Sequence, residues 1–320
     1  MKAAVYYQTG PPDVFKYEDV PEPKCGRHEV VIDVKAISIE GGDVLNRAGG
    51  PMPAVPHCVG YDAAGIIIQV GEKVKNRRVG QRVTTLNAFG SHAEKRAAQE
   101  ITTWIIPDGV SFEEAACVPV TIGTAHECIH EFGRLKKGET VLIQAGAGGV
   151  GLMAIQFAKR AGARVLATAS SDARLERLRE YGMDEGINYR EKDLVAEVKR
   201  LTEGRGVDLV VDPVGGEVLQ KSIEAAGPRG RIITMGAAGR GAREIDVGGL
   251  AVANKSLTGV YLGAEINTDR SQKMIIRILD DIAAGLLKVP VDKKFPLSRA
   301  AEAHAYIESR QAVGRVVLIP

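Results

Sequence analysis

A chain of 320 residues, 45% hydrophobic and 26% charged, can bury a sizeable core in two domains and has the composition of an ordinary globular protein. Its net charge of +2, with no Lys/Arg run and no basic stripe interleaved with aromatics, carries no electrostatic footprint for nucleic acid. No apolar run approaches the roughly 18 residues of a membrane span, the N-terminal MKAAVYYQTGPPDV lacks an export leader, and Cys25, Cys58, Cys117 and Cys128 are too scattered for a disulfide framework, so a cytoplasmic protein without membrane contact is expected.

Residues 1 to about 120 read as short β runs between Gly/Pro turns, with MKAAVYY, EVVIDVKAISI, AAGIIIQVG and GQRVTTL as examples. The rhythm then changes. TVLIQA (140–145) is a buried-strand run, and GVGLMAIQFAKRAG (149–162) sets Val150, Met153, Ala154, Phe157, Ala158 and Ala161 at helical spacing. A strand ARVLATA and a helix DARLERLREYG follow, then INY, a helix KDLVAEVKRLTEG, a strand VDLVVDPVGG, a helix GEVLQKSIEAAG and a strand GRIITMGAAG. SLTGVYLG (256–263) reads as a further apolar strand that closes the sheet. The tail is a helix (SQKMIIRILDDIAAG), a proline-marked link, a helix (SRAAEAHAYIESR) and a strand (GRVVLIP). Strand–helix alternation at this pitch predicts a doubly wound parallel sheet, inserted into a β-rich domain made from both chain ends.

AGAGGVG (145–151) contains GxGxxG at Gly146, Gly148 and Gly151, after a predicted strand and at the opening of a predicted helix. Glycines there allow a tight turn and close approach to a pyrophosphate, and the helix start offers free N–H groups and a positive dipole end. An NAD site wants a carboxylate at the end of the second strand, where it would repel the 2′-phosphate of NADP. That strand ends at Ala169 without an acid in register. Asp172 is the rival, about three residues late, where Ser171–Asp172 reads as a helix cap and first turn. Arg174 in that turn can bond a 2′-phosphate, so the pattern favours NADPH over NADH.

These residues carry a family likeness. The chain resembles the medium-chain dehydrogenase/reductase superfamily, in its zinc-free quinone oxidoreductase (zeta-crystallin-like) branch. The likeness runs through DVLNRAGG (43–50), GYDAAG (60–65), GQRV (80–83), GSHAE (90–94), PDGVSFEEAA (107–116), VTIGTAH (120–126), AGAGGVG, INYRE (187–191), GVDLVVDPVGG, GRIITMGAAG and GRVVL. It implies a GroES-like β-rich catalytic domain over 1–121 and 262–320, with a Rossmann NADPH-binding domain over 122–261. It further implies reduction of a small electrophile, a quinone or an enone, and a homodimer formed through edge strands of the Rossmann sheets. On the same resemblance Thr124 packs beside the nicotinamide. Gly148, Gly149 and Val150 belong to the pyrophosphate loop with Gly146 and Gly151. Ser171 and Arg174 match a Ser-x-x-Lys pattern for the 2′-phosphate, and Tyr189 lies against that phosphate. Gly236 and Ala237 fall in the loop after the fifth strand, Leu262 and Gly263 near the carboxamide, and Arg315 matches a basic residue near the cofactor.

Zinc-dependent relatives place a Cys just before the position of Asp43, a His at Tyr61 and a Cys near Thr121, where this chain has Glu40/Gly41/Gly42, Tyr61 and Thr121, and they carry a four-cysteine lobe that this chain lacks. His57 and Cys58 are adjacent, so an extended segment points them to opposite faces, and no metal site is expected. Without Lewis acidity the chemistry suits acceptors that take electrons readily, with the resulting oxygen anion stabilised by hydrogen bonds. Family members carry Asn-x-x-Asp where this chain has Glu40-Gly41-Gly42-Asp43. An ionised Glu40 accepts but cannot donate, so it must turn away, pair with a cation or be protonated. Asp43 and Arg47 stand at i, i+4 spacing and are expected either to pair or, for Asp43, to meet substrate. The usual pocket tyrosine after the RxG motif is missing, which leaves Glu40, Asp43, Tyr61 and His126 as substrate-pocket candidates. His126 reads as core packing or as a proton donor, and His92 as packing. Two other readings stay open: a catalytically silent NADPH-binding protein, and a zinc alcohol dehydrogenase with displaced ligands.

Overall fold

Short apolar runs at the start of the chain pair as strands. β1 (Lys2–Val5) and β2 (Lys16–Asp19) form an antiparallel ribbon. β3 (Glu29–Ser38) leads through α1 (Gly41–Gly49) to β4 (Asp62–Val70), β5 (Arg82–Leu86), β6 (Lys95–Gln99) and β7 (Thr103–Ile105). β3 is buried along most of its length because it is paired with β4, β6 and a strand from the far end of the chain. Val30, Ile32, Val34 and Ile37 of β3 pack with Ile67 and Val83, each fully buried apolar side chain contributing about 1.5–3 kcal/mol. α2 (Phe112–Ala116) is capped by Ser111, whose hydroxyl accepts from the Glu114 backbone N–H.

A wide helical turn (Val118–Ile122), α3 (Gly123–His126) and a second wide turn (Glu127–Glu131) lead into the alternating region. There β8 (Thr140–Ile143), α4 (Gly149–Arg160), β9 (Arg164–Ala169), α5 (Asp172–Arg179), β10 (Glu185–Asn188) and α6 (Leu194–Leu201) follow one another. β11 (Val207–Asp212), α7 (Gly216–Ala225), β12 (Ala226–Thr234), α8 (Gly248–Ala251) and β13 (Ser256–Gly259) complete the series. The six strands are all parallel in the order β10-β9-β8-β11-β12-β13, the doubly wound arrangement that the alternation predicts. The expected strand over 256–263 ends at Gly259, and Leu262 and Gly263 instead lie in a helical turn, α9 (Leu262–Glu265).

The tail then supplies α10 (Asp269–Ala283), β14 (Val291–Pro296), α11 (Ala300–Glu308) and β15 (Arg315–Ile319). β14 lies within what the sequence presents as a proline-marked link. It is the edge of the order β14-β15-β3-β4-β5-β7, and an edge strand tolerates the lysines and Pro296 that disguise it. This computed structural model describes residues 1–236, 239 and 244–320. Its chain divides into two units, 1–123 with 264–320, and 124–263.

Inside the first unit His92 and His304 are both fully buried, with their Nε2 atoms 3.0 Å apart. Phe15 stacks on His92 and meets His304 edge-on. One proton lies between the two rings, and burial pushes His92 down to about 3, with Arg96 adding to the shift. Burial lowers His304 as well, helped by His92 and Arg47. His92 is therefore packing. A histidine neutral in the native state and protonated below 6.5 when unfolded makes unfolding take up a proton, so this stability is lost as pH falls from 6.5 towards 3. Asp43, raised to about 8, acts oppositely, its contribution fading as pH rises from 3.8 to 8. Urea denaturation of wild type should show an acid-side loss that His92→Phe/His304→Leu flattens; parallel pH profiles for the two proteins would refute the assignment.

Candidate active site

In the second unit the Gly-rich loop is held from beneath by a buried polar chain. Thr168 Oγ1 donates to Gln144 Oε1 at 2.9 Å, Gln144 Nε2 donates to Ser222 Oγ at 3.1 Å, and Ser222 Oγ donates to Asp212 Oδ2 at 2.7 Å. Thr168 meanwhile receives the Ala145 and Gly146 amides, on its hydroxyl and its carbonyl. The chain turns at Ala145 with φ +50°. A Cβ on Gly151 would stand 2.5 Å from the Ala145 carbonyl oxygen and 2.8 Å from Gly146 Cα, so only glycine lets helix and turn meet. A Cβ on Gly146 would stand 2.9 Å from both Ala167 and Leu178, the neighbouring strand and helix. α4 starts at Gly149 with Gly148 as N-cap and no side-chain cap, so the amides of Gly149, Val150 and Gly151 face outward with the dipole behind them. This cradle fits a dinucleotide pyrophosphate.

The edge beyond β9 carries the other predicted cofactor contacts. Ser171 caps α5, its hydroxyl accepting from the Arg174 amide at 3.4 Å, and Arg174 sits half-buried in the first turn. Tyr189 follows β10, is 45% exposed and donates its amide to the Ala169 carbonyl at 3.2 Å. Ser171, Arg174 and Tyr189 are thus gathered at one strand end. Gly236 follows β12 at the same end of the sheet; Ala237 lies outside the described residues. Thr124 is buried in α3. His126 packs against His130 and Phe157, ring centroids 4.6 and 5.4 Å away, which is a core contact.

In the first unit Glu40 is 3% exposed and fully bonded. One carboxylate oxygen takes the Ser38 hydroxyl at 2.8 Å and the Arg315 guanidinium, and the other takes the Thr121 hydroxyl at 2.5 Å. Arg315 also donates to Ser38 Oγ at 2.5 Å and the Ile39 carbonyl at 2.7 Å, so its charge is directed onto Glu40. Of the three outcomes open to Glu40, pairing with a cation is the one realised. Asp43 is fully buried and turns back on α1, accepting from the Glu40 amide at 2.8 Å and the Tyr61 amide at 3.2 Å. Burial pushes its carboxyl up to about 8, and the nearby Glu40 charge adds to this. The expected Asp43–Arg47 pair does not form. Arg47 is itself buried and donates instead to Glu308 of α11 at 2.6 Å and the Gly10 carbonyl at 2.5 Å, partners that no local spacing reveals.

Tyr61 lies over Gly42, where a Cβ would overlap its ring, and its hydroxyl accepts from Asn46 Nδ2 at 2.9 Å. Asn46, Ser38 and Asp62 escaped the sequence reading. Asp62 is fully buried, accepts from the Val120 amide at 2.8 Å, and is raised well above the usual carboxylate range by burial and by Glu40. The positions compared with zinc ligands hold Glu40, Gly41 and Gly42, of which Glu40 is paired with Arg315, then a tyrosine bonded to Asn46 and a threonine bonded to Glu40. His57 packs edge-on to Tyr6 and Phe89, and burial pushes the Cys58 thiol up to about 12. Among the described residues no three His, Cys, Asp or Glu side chains converge as a metal requires, so this donor set does not fit zinc.

Comparison with known proteins agrees with this geometry. Residues 26–122 match the family profile "Alcohol dehydrogenase GroES-like domain", and residues 149–280 match "Zinc-binding dehydrogenase". The chain is 32% identical to a 2-haloacrylate reductase of Burkholderia sp., covering 99% of this chain and 98% of that protein. It is 31% identical to a quinone oxidoreductase of Pseudomonas aeruginosa, covering 97% of each. The crystal structure of Escherichia coli quinone oxidoreductase complexed with NADPH superposes with a TM-score of 0.95 at 30% identity over 100% of both chains. The chain belongs to the medium-chain dehydrogenase/reductase superfamily, in its zinc-independent quinone oxidoreductase family.

Proposed function

We propose that this protein is an NADPH-dependent reductase of quinones or α,β-unsaturated carbonyl compounds. The observation that carries the cofactor half is the uncapped start of α4 behind glycines that admit no side chain, with Ser171 and Arg174 at the adjoining strand end. The amides of Gly149, Val150 and Gly151 hold the pyrophosphate, and Ser171, Arg174 and Tyr189 hold the 2′-phosphate. Thr124, Gly236, Leu262 and Gly263 line the nicotinamide end, with Ala237 assigned to the same loop by resemblance. Bound NADPH supplies a hydride equivalent. The acceptor half rests on side chains around Tyr61 that do not suit zinc and on the names of the relatives.

Tyr61 is the group suited to the oxygen that gains charge. The amide of Asn46 donates into its hydroxyl, which polarises the O–H, and Gly42 leaves its ring room to lie flat. Glu40 does not turn a bare carboxylate towards that oxygen, because Arg315 pairs with it and two hydroxyls occupy its oxygens. Asp43 holds the Tyr61 backbone. The protein is further read as a cytoplasmic homodimer. β13 forms the edge of its sheet, and Val247, Val252 and Tyr261 around it are 60, 88 and 78% exposed, which suits pairing with the same edge of a second copy.

Three measurements check this reading. NADPH oxidation should turn over with members of a panel of quinones and enones; tight NADPH binding without turnover on any acceptor would favour the silent binding protein instead. Arg174→Ala should weaken NADPH about tenfold or more while changing NADH less than about twofold, since one charge-assisted phosphate contact is removed. Arg315→Met should destabilise the protein by about 3–5 kcal/mol in urea unfolding, by leaving a buried carboxylate unpaired, and Glu40→Gln/Arg315→Met should recover much of that loss.

A further inference from the structure

The end of β9 is where an NAD site keeps the acid that holds both ribose hydroxyls. Here the strand ends at Ala169, and the first acid beyond it is Asp172, exposed at the start of α5 between Ser171 and Arg174. A carboxylate free to swing there would repel a 2′-phosphate and offer an acceptor to a ribose hydroxyl, opposing what Arg174 provides.

Asn188 restrains it. This residue ends β10, lies in register beside Ala169 and is 3% exposed. Its Oδ1 accepts from the Arg190 amide at 3.2 Å, and its Nδ2 donates to Asp172 Oδ1, also at 3.2 Å. The orientation of the amide is therefore set from within: with the oxygen engaged by a backbone N–H, the NH₂ end is the one that faces the carboxylate. Because Asn188 is buried, its bond draws that oxygen of Asp172 towards the sheet. The Asn188 carbonyl also accepts from the Glu191 and Lys192 amides at 3.1 and 3.0 Å, so the donor sits on a well-braced turn.

We propose, resting on the NADPH reading above, that Asn188 is a positioning residue for cofactor choice. It holds the Asp172 carboxylate away from the 2′-phosphate position beside Ser171 and Arg174. Selectivity at this edge then has two parts, a cation that attracts the phosphate and an amide that restrains the neighbouring anion.

The test uses adenosine 2′,5′-bisphosphate and 5′-AMP, which differ in the 2′-phosphate and cannot turn over, with binding to the full-length protein measured by calorimetry. Asn188→Ala should reduce the preference for the bisphosphate about fivefold, the scale of one exposed charge contact. Adding Asp172→Asn to that variant should restore the preference to within about twofold of wild type, which a purely structural loss would not do. Equal weakening of both ligands, an unchanged preference, or no recovery in the double variant would overturn the proposal. Should Asn188→Ala not fold, Asn188→Thr removes the same amide within a residue type that suits a strand. If Arg174→Ala leaves the bisphosphate preference intact, it is the NADPH reading that fails, whatever Asn188 does.

Discussion

The first unit depends on one buried contact, the ion pair between Arg315 near the end of the chain and Glu40 at the turn after β3. It lies beside the strand pairing between β15 and β3 and a hydrogen bond from the Ile39 backbone N–H to the Val316 carbonyl. Two charges taken out of water are costly unless hydrogen bonds accompany the pairing, and here Ser38 and Thr121 donate to the Glu40 oxygens while the Ile39 carbonyl accepts from Arg315. A mispaired tail would leave a carboxylate buried alone. That penalty selects the one arrangement in which both chain ends form a common sheet. Burial raises the neighbouring carboxyls of Asp43 and Asp62, and the Glu40 charge adds to both shifts.

The second unit solves a different problem, that of presenting bare backbone amides to an anion without losing the loop that carries them. Side-chain caps would occupy those amides, and larger residues would push the turn from the helix. Support therefore comes from underneath, through Gln144, Thr168, Ser222 and Asp212, which are all buried and mutually bonded. Fully satisfied, such a chain stiffens the site. At the neighbouring strand end the same economy recurs in Asn188, whose two polar ends serve Arg190 and Asp172.

Legibility in the sequence followed burial. The strands β8, β9 and β11 are central and covered on both faces, so they appear as unbroken apolar runs, and the helices between them keep a regular period. β14 was illegible because an edge strand needs neither apolar alternation nor freedom from proline. The run 256–263 resembles one strand because its apolar residues serve a short strand and then a helical turn. Spacing suggested Asp43 with Arg47, yet each found a better-placed partner, Asp43 on local amides and Arg47 on Glu308.

By itself the sequence determined what depends on local chemistry: the alternation of elements, the glycine loop that can approach a pyrophosphate, the cap at Ser171, and the absence of the family's zinc-ligand Cys and His at 40–42, 61 and 121. Only the tertiary structure decided how the charges are resolved. Glu40 meets Arg315, Tyr61 rests on Gly42 and bonds Asn46, and Asp172 is held by Asn188. The physical reason is that period and propensity act over a few residues, whereas a buried charge is satisfied by whichever groups the folded chain brings within about 3 Å, at any separation in sequence.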